Sequence, residues 1–171
     1  MNTTALTLML LLMLAMTVGP MVATPISIGA AESGQRRAIA AREAAAAMAV
    51  QQQYLVDYAL KTGATGVVSP SQIGAPAPWG TTPTRALPGV HSVIGSNGAT
   101  TVAVTYYSGG PYRAGDIEAA LLDLYAYSAD VGWTNGSSSQ LVSPQSSVAP
   151  VYLPPALGIP ANVPALADVV K

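Results

Sequence analysis

The chain has 171 residues and a formal net charge of −1, and only 9% of its residues are charged, against roughly 25% in ordinary soluble domains. With 50% hydrophobic residues and a mean hydropathy of +0.39, it is excluded from charge-driven disorder, and it lacks the basic excess of a nucleic-acid binder. It has no Cys and one His, which removes disulfides, thiolate zinc sites, cysteine nucleophiles and His-rich metal sites together.

Residues 1–31 hold no charged side chain; the first is Glu32. The stretch from Ala5 to Gly19 is apolar apart from two Thr and a Gly, and Met1, Met9, Met13, Met16 and Met21 lie in or beside it. Its 15 residues at about 1.5 Å each fall short of a ~30 Å hydrocarbon core, although the uncharged run continues to Ala31. Pro20 and Pro25 kink or end a soluble helix and are better tolerated in a membrane helix. Two readings follow: an anchor that meets the lipid bilayer through residues 5–31, or a secretory signal peptide cut after Gly29-Ala30-Ala31. The anchor is preferred, because MNTT lacks the positive start of a signal peptide. Arg36, Arg37 and Arg42 follow, and by the positive-inside rule they favour a cytoplasmic position for what comes next. The segment is not an ordinary prepilin, since its apolar run precedes Glu32.

Residues 32–62 read as one long helix. From Ser33 to Lys61 there is no Pro and one Gly, and the Ala, Arg, Glu, Gln, Leu and Met content is strongly helix-forming. Ala47, Val50, Tyr54 and Tyr58 recur at helical spacing, with Leu55 widening the stripe, Gln51 at its edge, and Gln52 and Gln53 on other faces. Its first part is expected to stand away from the core. Thr62-Gly63 supplies the stop.

Proline clusters divide the rest. Residues 63–88 read as a Pro/Gly-rich linker and 144–171 as a Pro-rich tail, which leaves a core at 89–143. Gly89–Ile94 and Thr100–Tyr107 have strand composition and flank a Ser96-Asn97-Gly98 turn. Asp116 to Tyr127 reads as a helix with acids in its first turn and an apolar face of Ile117, Leu121, Leu124 and Tyr125. Val131–Thr134 and Gln140–Ser143 read as a second hairpin across Asn135-Gly136. The expected class is α+β with a pilin-like layout: a long helix, then a small antiparallel sheet of about four strands, in the order α-β-β-α-β-β.

Little chemistry is visible. His91 stands on a predicted strand with no second His. Asp116 and Glu118 are two apart, so on a helix they point to different sides and serve as first-turn caps. Ser137-Ser138-Ser139 lacks a nucleophile-elbow context, and Ser108-Gly109-Gly110-Pro111 lacks the Lys of a phosphate loop. Asn2-Thr3-Thr4 and Asn135-Gly136-Ser137 match the glycosylation sequon, a pattern common by chance. Trp79 and Trp133 suit packing or an interface. No catalytic, cofactor-binding or metal residue, no small-molecule substrate and no enzymatic activity are expected.

A family likeness is carried by several segments: residues 54–79 (YLVDYALKTGATGVVSPSQIGAPAPW), VAVTYY at 102–107, AALLDLYAYS at 119–128, VGWTNGSSSQLVSP at 131–144 and VYLPPALGIPANVP at 151–164. This layout resembles the PilM proteins encoded with the thin type IV pili of conjugative plasmids, which are unrelated to the actin-like cytoplasmic protein of the same name. The resemblance implies a non-catalytic pilus-biogenesis component, held at the bacterial inner membrane by its N-terminus. Its C-terminal domain would lie in the periplasm and contact other pilus-assembly proteins. It carries over no functional residue. The alternatives are a pilin-like structural subunit, a secreted hydrolase using Ser with His91, and a surface adhesin.

Overall fold

A computed structural model describes residues 3–74, 87–125, 130–135, 140–144, 149–154 and 157–170, with side chains from residue 32 onward. The protein is α+β: a long helix followed by an antiparallel sheet. Helix α1 spans Thr3–Thr62, so it has no separate start at Ser33. The chain divides into two units, residues 1–37 and 38–171. The anchor or signal reading of residues 1–31 falls on side chains outside those described. Among the described residues, no helix is long and apolar enough to cross a membrane.

Within the second unit, α1 buries Ala41, Ala44, Ala45, Met48, Leu55 and Ala59. These positions recur every three or four residues and form one stripe. The stripe is rotated from the expected one: Val50 and Tyr54 are exposed, while Gln51 and Gln52 are buried. Hydrophobicity alone misplaced the face because the residues that pack closest are Ala, and the polar residues beside them have partners on the sheet. Within this unit Ala38 and Ile39 are exposed, and packing begins at Ala41. The helix stops where expected. Gly63 adopts φ +62 and its N–H donates to the Ala59 carbonyl at 2.9 Å, a left-handed cap that satisfies one of the last-turn acceptors.

Among the described residues the sheet has seven strands rather than about four. They are β1 (Gly66–Val68), β2 (Val90–Ser96), β3 (Thr101–Tyr107), β4 (Val131–Asn135), β5 (Gln140–Val142), β6 (Val151–Tyr152) and β7 (Pro164–Val169). Their spatial order is β1-β2-β3-β7-β4-β5-β6, and every pairing is antiparallel. The four-residue helix α2 (Pro70–Ile73) and helix α3 (Ala114–Tyr125) complete the order. The two expected hairpins are present. Asn97 closes the first, its Oδ1 accepting from the N–H groups of Ala99 at 3.0 Å and Thr100 at 2.7 Å.

Two segments read as irregular supply strands. The expected linker 63–88 contains β1 and α2; its residues 75–86, with Trp79, lie outside those described. The expected tail 144–171 contributes β6 and, more consequentially, β7, which lies in the middle of the sheet. It pairs with β3 through Val102↔Val169 to Tyr106↔Ala165 and with β4 through Val131↔Leu166 to Trp133↔Pro164. Without β7 the two hairpins share no strand-to-strand bonding. A proline-rich approach and a short ALADV run hid a central strand whose partners lie far away in sequence.

Strand alternation sends each strand's side chains to two faces. One face lies under the helices: Val90, Tyr107, Val131 and Leu166 meet Ala41–Met48 of α1 and Ile117, Ala120 and Leu121 of α3, while Ile94 and Ala103 meet Leu55 and Ala59. Leu124, expected on the apolar face of α3, is exposed. The other face carries Val93, Val102, Val104, Leu141, Ala165 and Ala167 and is covered by Leu153, Leu157 and Ile159. A strap from the C-terminal region (residues 153–154 and 157–163) therefore does for this face what the helices do for the first.

Candidate interaction surface

Thr134 fixes one end of the strap. Thr134 of β4 donates its backbone N–H to the Val163 carbonyl at 3.1 Å and accepts from the Asn162 N–H at 2.7 Å. Its hydroxyl donates to the Pro160 carbonyl at 2.5 Å and accepts from the Val163 N–H at 3.2 Å. A β-branched residue on a strand thus closes four bonds to a proline-containing segment that has no sheet ladder of its own. At the other end of the strap, Gly95 of β2 leaves room for it: a Cβ there would stand 2.6 Å from Leu157 Cδ2 and 2.9 Å from Pro154 Cγ.

The helix-covered face holds a polar seam. Gln51 donates Nε2 to Ser92 Oγ at 2.7 Å, and Ser92 Oγ lies 3.4 Å from Thr105 Oγ1. Gln52 donates Nε2 both to the Ala103 carbonyl at 2.9 Å and to Asp168 Oδ2 at 2.8 Å. Both amide hydrogens are then used, and its Oε1 is buried without a hydrogen-bond partner. Burial pushes the Asp168 carboxyl above its usual range; the Gln52 bond pulls it back and the charge of Asp130 raises it further. The Tyr125 hydroxyl is likewise pushed up, first by burial and then by Asp168 and Asp130. Buried amide N–H groups bonded to specific strand atoms fix the register of α1 on β2, β3 and β7, since a shifted helix would strand them in an apolar interface.

The candidate chemical residues stay apart. His91 is exposed on β2, 3.2 Å through Nε2 from the Ser108 carbonyl and stacked on Tyr106 at 5.1 Å. Among the described residues its polar neighbour is that carbonyl, and no Ser hydroxyl or carboxylate forms a dyad with it. Glu118 is no first-turn cap: helix α3 starts earlier, at Ala114, and the Glu118 carboxylate accepts from the Trp133 indole N–H. That bond ties α3 to β4 and accounts for Trp133 as a packing residue. Asp116 does lie in the first turn. The Ser108–Pro111 loop is held by Tyr107, whose hydroxyl accepts from the Tyr112 N–H at 2.6 Å and donates to the Tyr112 carbonyl at 3.2 Å. Ser137-Ser138-Ser139, Gly136 and Asn2 lie outside the described residues. Among the described residues, no group of three or more His, Cys, Asp or Glu is placed to hold a metal.

Two hollows are formed by described residues. One of about 240 Å³ lies between β1 and the strap, lined by Thr65, Val67, Val93, Gly95, Pro154 and Leu157 among others. The second, of about 350 Å³, lies at Trp133, Val142, Pro144 and Asn162. Both are lined without a charged side chain. Each has an exposed apolar residue in its lining, Val67 at 81% and Val142 at 40%. Sequence periodicity missed Gln52, Asp168 and Val67, because each takes its meaning from a strand or helix that is remote in the chain.

A family model described as PilM matches residues 13–166. The chain belongs to the PilM family. It is therefore a protein of pilus biogenesis, and membership implies interaction with other pilus-assembly proteins. The matched span takes in α1 from its first turns, both hairpins and the start of β7, including the segments that composition alone assigned to a linker and a tail. No characterised protein and no solved structure matches the chain.

Proposed function

We propose that this protein is a non-catalytic, membrane-anchored component of a type IV pilus or conjugation apparatus, whose α+β domain lies in the periplasm and docks other assembly subunits. The observation that carries this reading is the PilM match over residues 13–166. The uncharged first 31 residues support an anchor, and uncharged hollows beside exposed apolar residues support docking rather than turnover. The test is fractionation of a tagged chain with protease added to spheroplasts. The domain is expected in the membrane fraction and open to protease from the periplasmic side. A protected domain overturns the topology, which is the arrangement that Arg36, Arg37 and Arg42 oppose under the positive-inside rule.

A pilin-like structural subunit is the second reading, favoured by a long helix laid on an antiparallel sheet. N-terminal sequencing of the mature protein separates the two. A processed, N-methylated end supports the subunit, and an intact start supports the anchor. Replacement His91→Ala is expected to leave piliation unchanged; its loss would revive a hydrolase.

A further inference from the structure

The two edges of the sheet differ. At β6 the edge strand has two residues and stands between Pro150 and Pro154, the short and proline-flanked form that blocks strand addition. At β1 the guards are fewer: the strand has three residues, with Pro70 two residues beyond its end and no proline just before it. The strand contains no Pro, no charged residue stands between Lys61 and Arg85, and Val67 is 81% exposed.

The backbone at this edge can be assigned. The Asn97 N–H donates to the Thr100 carbonyl at 3.1 Å, and the Ser108 N–H donates to the Gly89 carbonyl at 2.7 Å. Antiparallel bonding alternates along a hairpin, so between those two pairs His91, Val93 and Gly95 bond to β3. Ser92 and Ile94 then turn their N–H and C=O groups to β1, where their partners are Val68 and Gly66. Val67, opposite Val93, points its own N–H and C=O outward. Inside that open pair lies the 240 Å³ hollow. Since an apolar cavity of about 150 Å³ accepts a benzene-sized group, it has room for a long aliphatic side chain.

We propose that β1 is a docking edge for an extended segment of another pilus-assembly protein, which bonds to the Val67 backbone and places an uncharged, long aliphatic side chain in the hollow beside the strap. This rests on the subunit-docking reading above and deepens it. The occupant is extended because only a strand meets an outward N–H and C=O pair on one residue. It is uncharged because the lining offers a buried ion no partner. It is not a second copy of β1: pairing about Val67 sets one Val67 against another and supplies no long aliphatic side chain to either hollow.

The experiment places a photo-crosslinking residue at Thr65 of the full chain, in cells that build the pilus, and identifies the adduct. It is repeated with Val67→Pro, Val67→Lys and Val67→Thr. Because the Val67 N–H faces outward, Pro removes the edge donor and keeps the β1–β2 bonds; Lys guards the edge without touching the backbone. Pro and Lys are each expected to cut both the adduct and pilus-dependent transfer at least tenfold, with melting temperature unchanged, while Thr keeps both. An adduct with a second copy of this chain overturns the proposal, as does wild-type transfer in folded Pro and Lys variants. Deletion of the whole chain separates the two levels. If deletion spares piliation, the pilus-docking reading has failed. If deletion abolishes piliation and both edge variants behave as wild type, only the edge has failed.

Discussion

The two faces of the sheet are sealed in different ways. Under the helices, the apolar contacts of Ala41–Met48, Ile117 and Leu121 are interrupted by a polar seam of Gln51, Gln52, Ser92, Thr105 and Asp168. Under the strap the buried residues are Val, Leu and Ala, and the polar fixing is displaced to Thr134 at one end. The helix face gains specificity of register from its buried hydrogen bonds, each of which is costly to strand. The strap face gains adhesion from burial, which is non-directional, and is pinned at Thr134.

Core truncations sharpen this contrast most strongly. Leu141→Ala, on the strap face, and Leu55→Ala, on the helix face, are each expected to cost about 2–5 kcal/mol in urea unfolding. Only Leu141→Ala should also expose the exposed Gly158 region to rapid proteolysis. Equal cleavage in the two variants would show that the faces are not sealed independently. A smaller effect is expected from Gly95→Val, about 1–3 kcal/mol by overpacking against Leu157 and Pro154; unchanged stability would mean that the strap moves freely. Gln52→Ala leaves the Ala103 carbonyl and Asp168 without their donor and is expected to cost about 1–3 kcal/mol. A neutral result would remove the register role of the seam.

The smallest effect is a pH dependence. Burial raises the Asp168 carboxyl above its ordinary value of 3.8, so the fold favours the protonated form. Its contribution to stability is fully present below pH 3.8 and is lost as pH rises through the raised value in the fold. Asp168→Asn keeps an acceptor for Gln52 without the charge. It is expected to raise the melting temperature slightly at neutral pH and to narrow the gap between neutral and acid conditions. A lower neutral-pH melting temperature would contradict this sign. The exposed Arg42–Asp123 ion pair, 3.3 Å apart, is expected to contribute little, because surface pairs of this kind are solvent-screened.

Much of the local structure was legible along the chain. The Ala-rich run gave the helix and Thr62-Gly63 its end; Asn97-Gly98 and Asn135-Gly136 marked the hairpins; Ile117 and Leu121 marked the buried side of α3. The family reading came from short motifs such as GWTNG, whose Trp133 and Thr134 bond to α3 and to the strap. Less legible were Gln52 and Glu118. The first reads as a solvated helix residue and is buried against β3 and β7; the second reads as a cap and holds the Trp133 indole. In both cases a polar side chain finds a partner across the fold, which neither propensity nor periodicity encodes.

The amino-acid order determined that this chain is an α+β protein with a long helix, two hairpins and no concentrated charge, because helix propensity, turn chemistry and alternation act within a few residues. Tertiary structure decided that a proline-rich C-terminal region supplies the central strand and the cover of one face. It also decided that the buried stripe of α1 passes through two glutamines and that Val67 turns its backbone outward at the β1 edge. Each depends on pairing between segments far apart in sequence, where the balance is set by burial and hydrogen-bond satisfaction rather than by local preference.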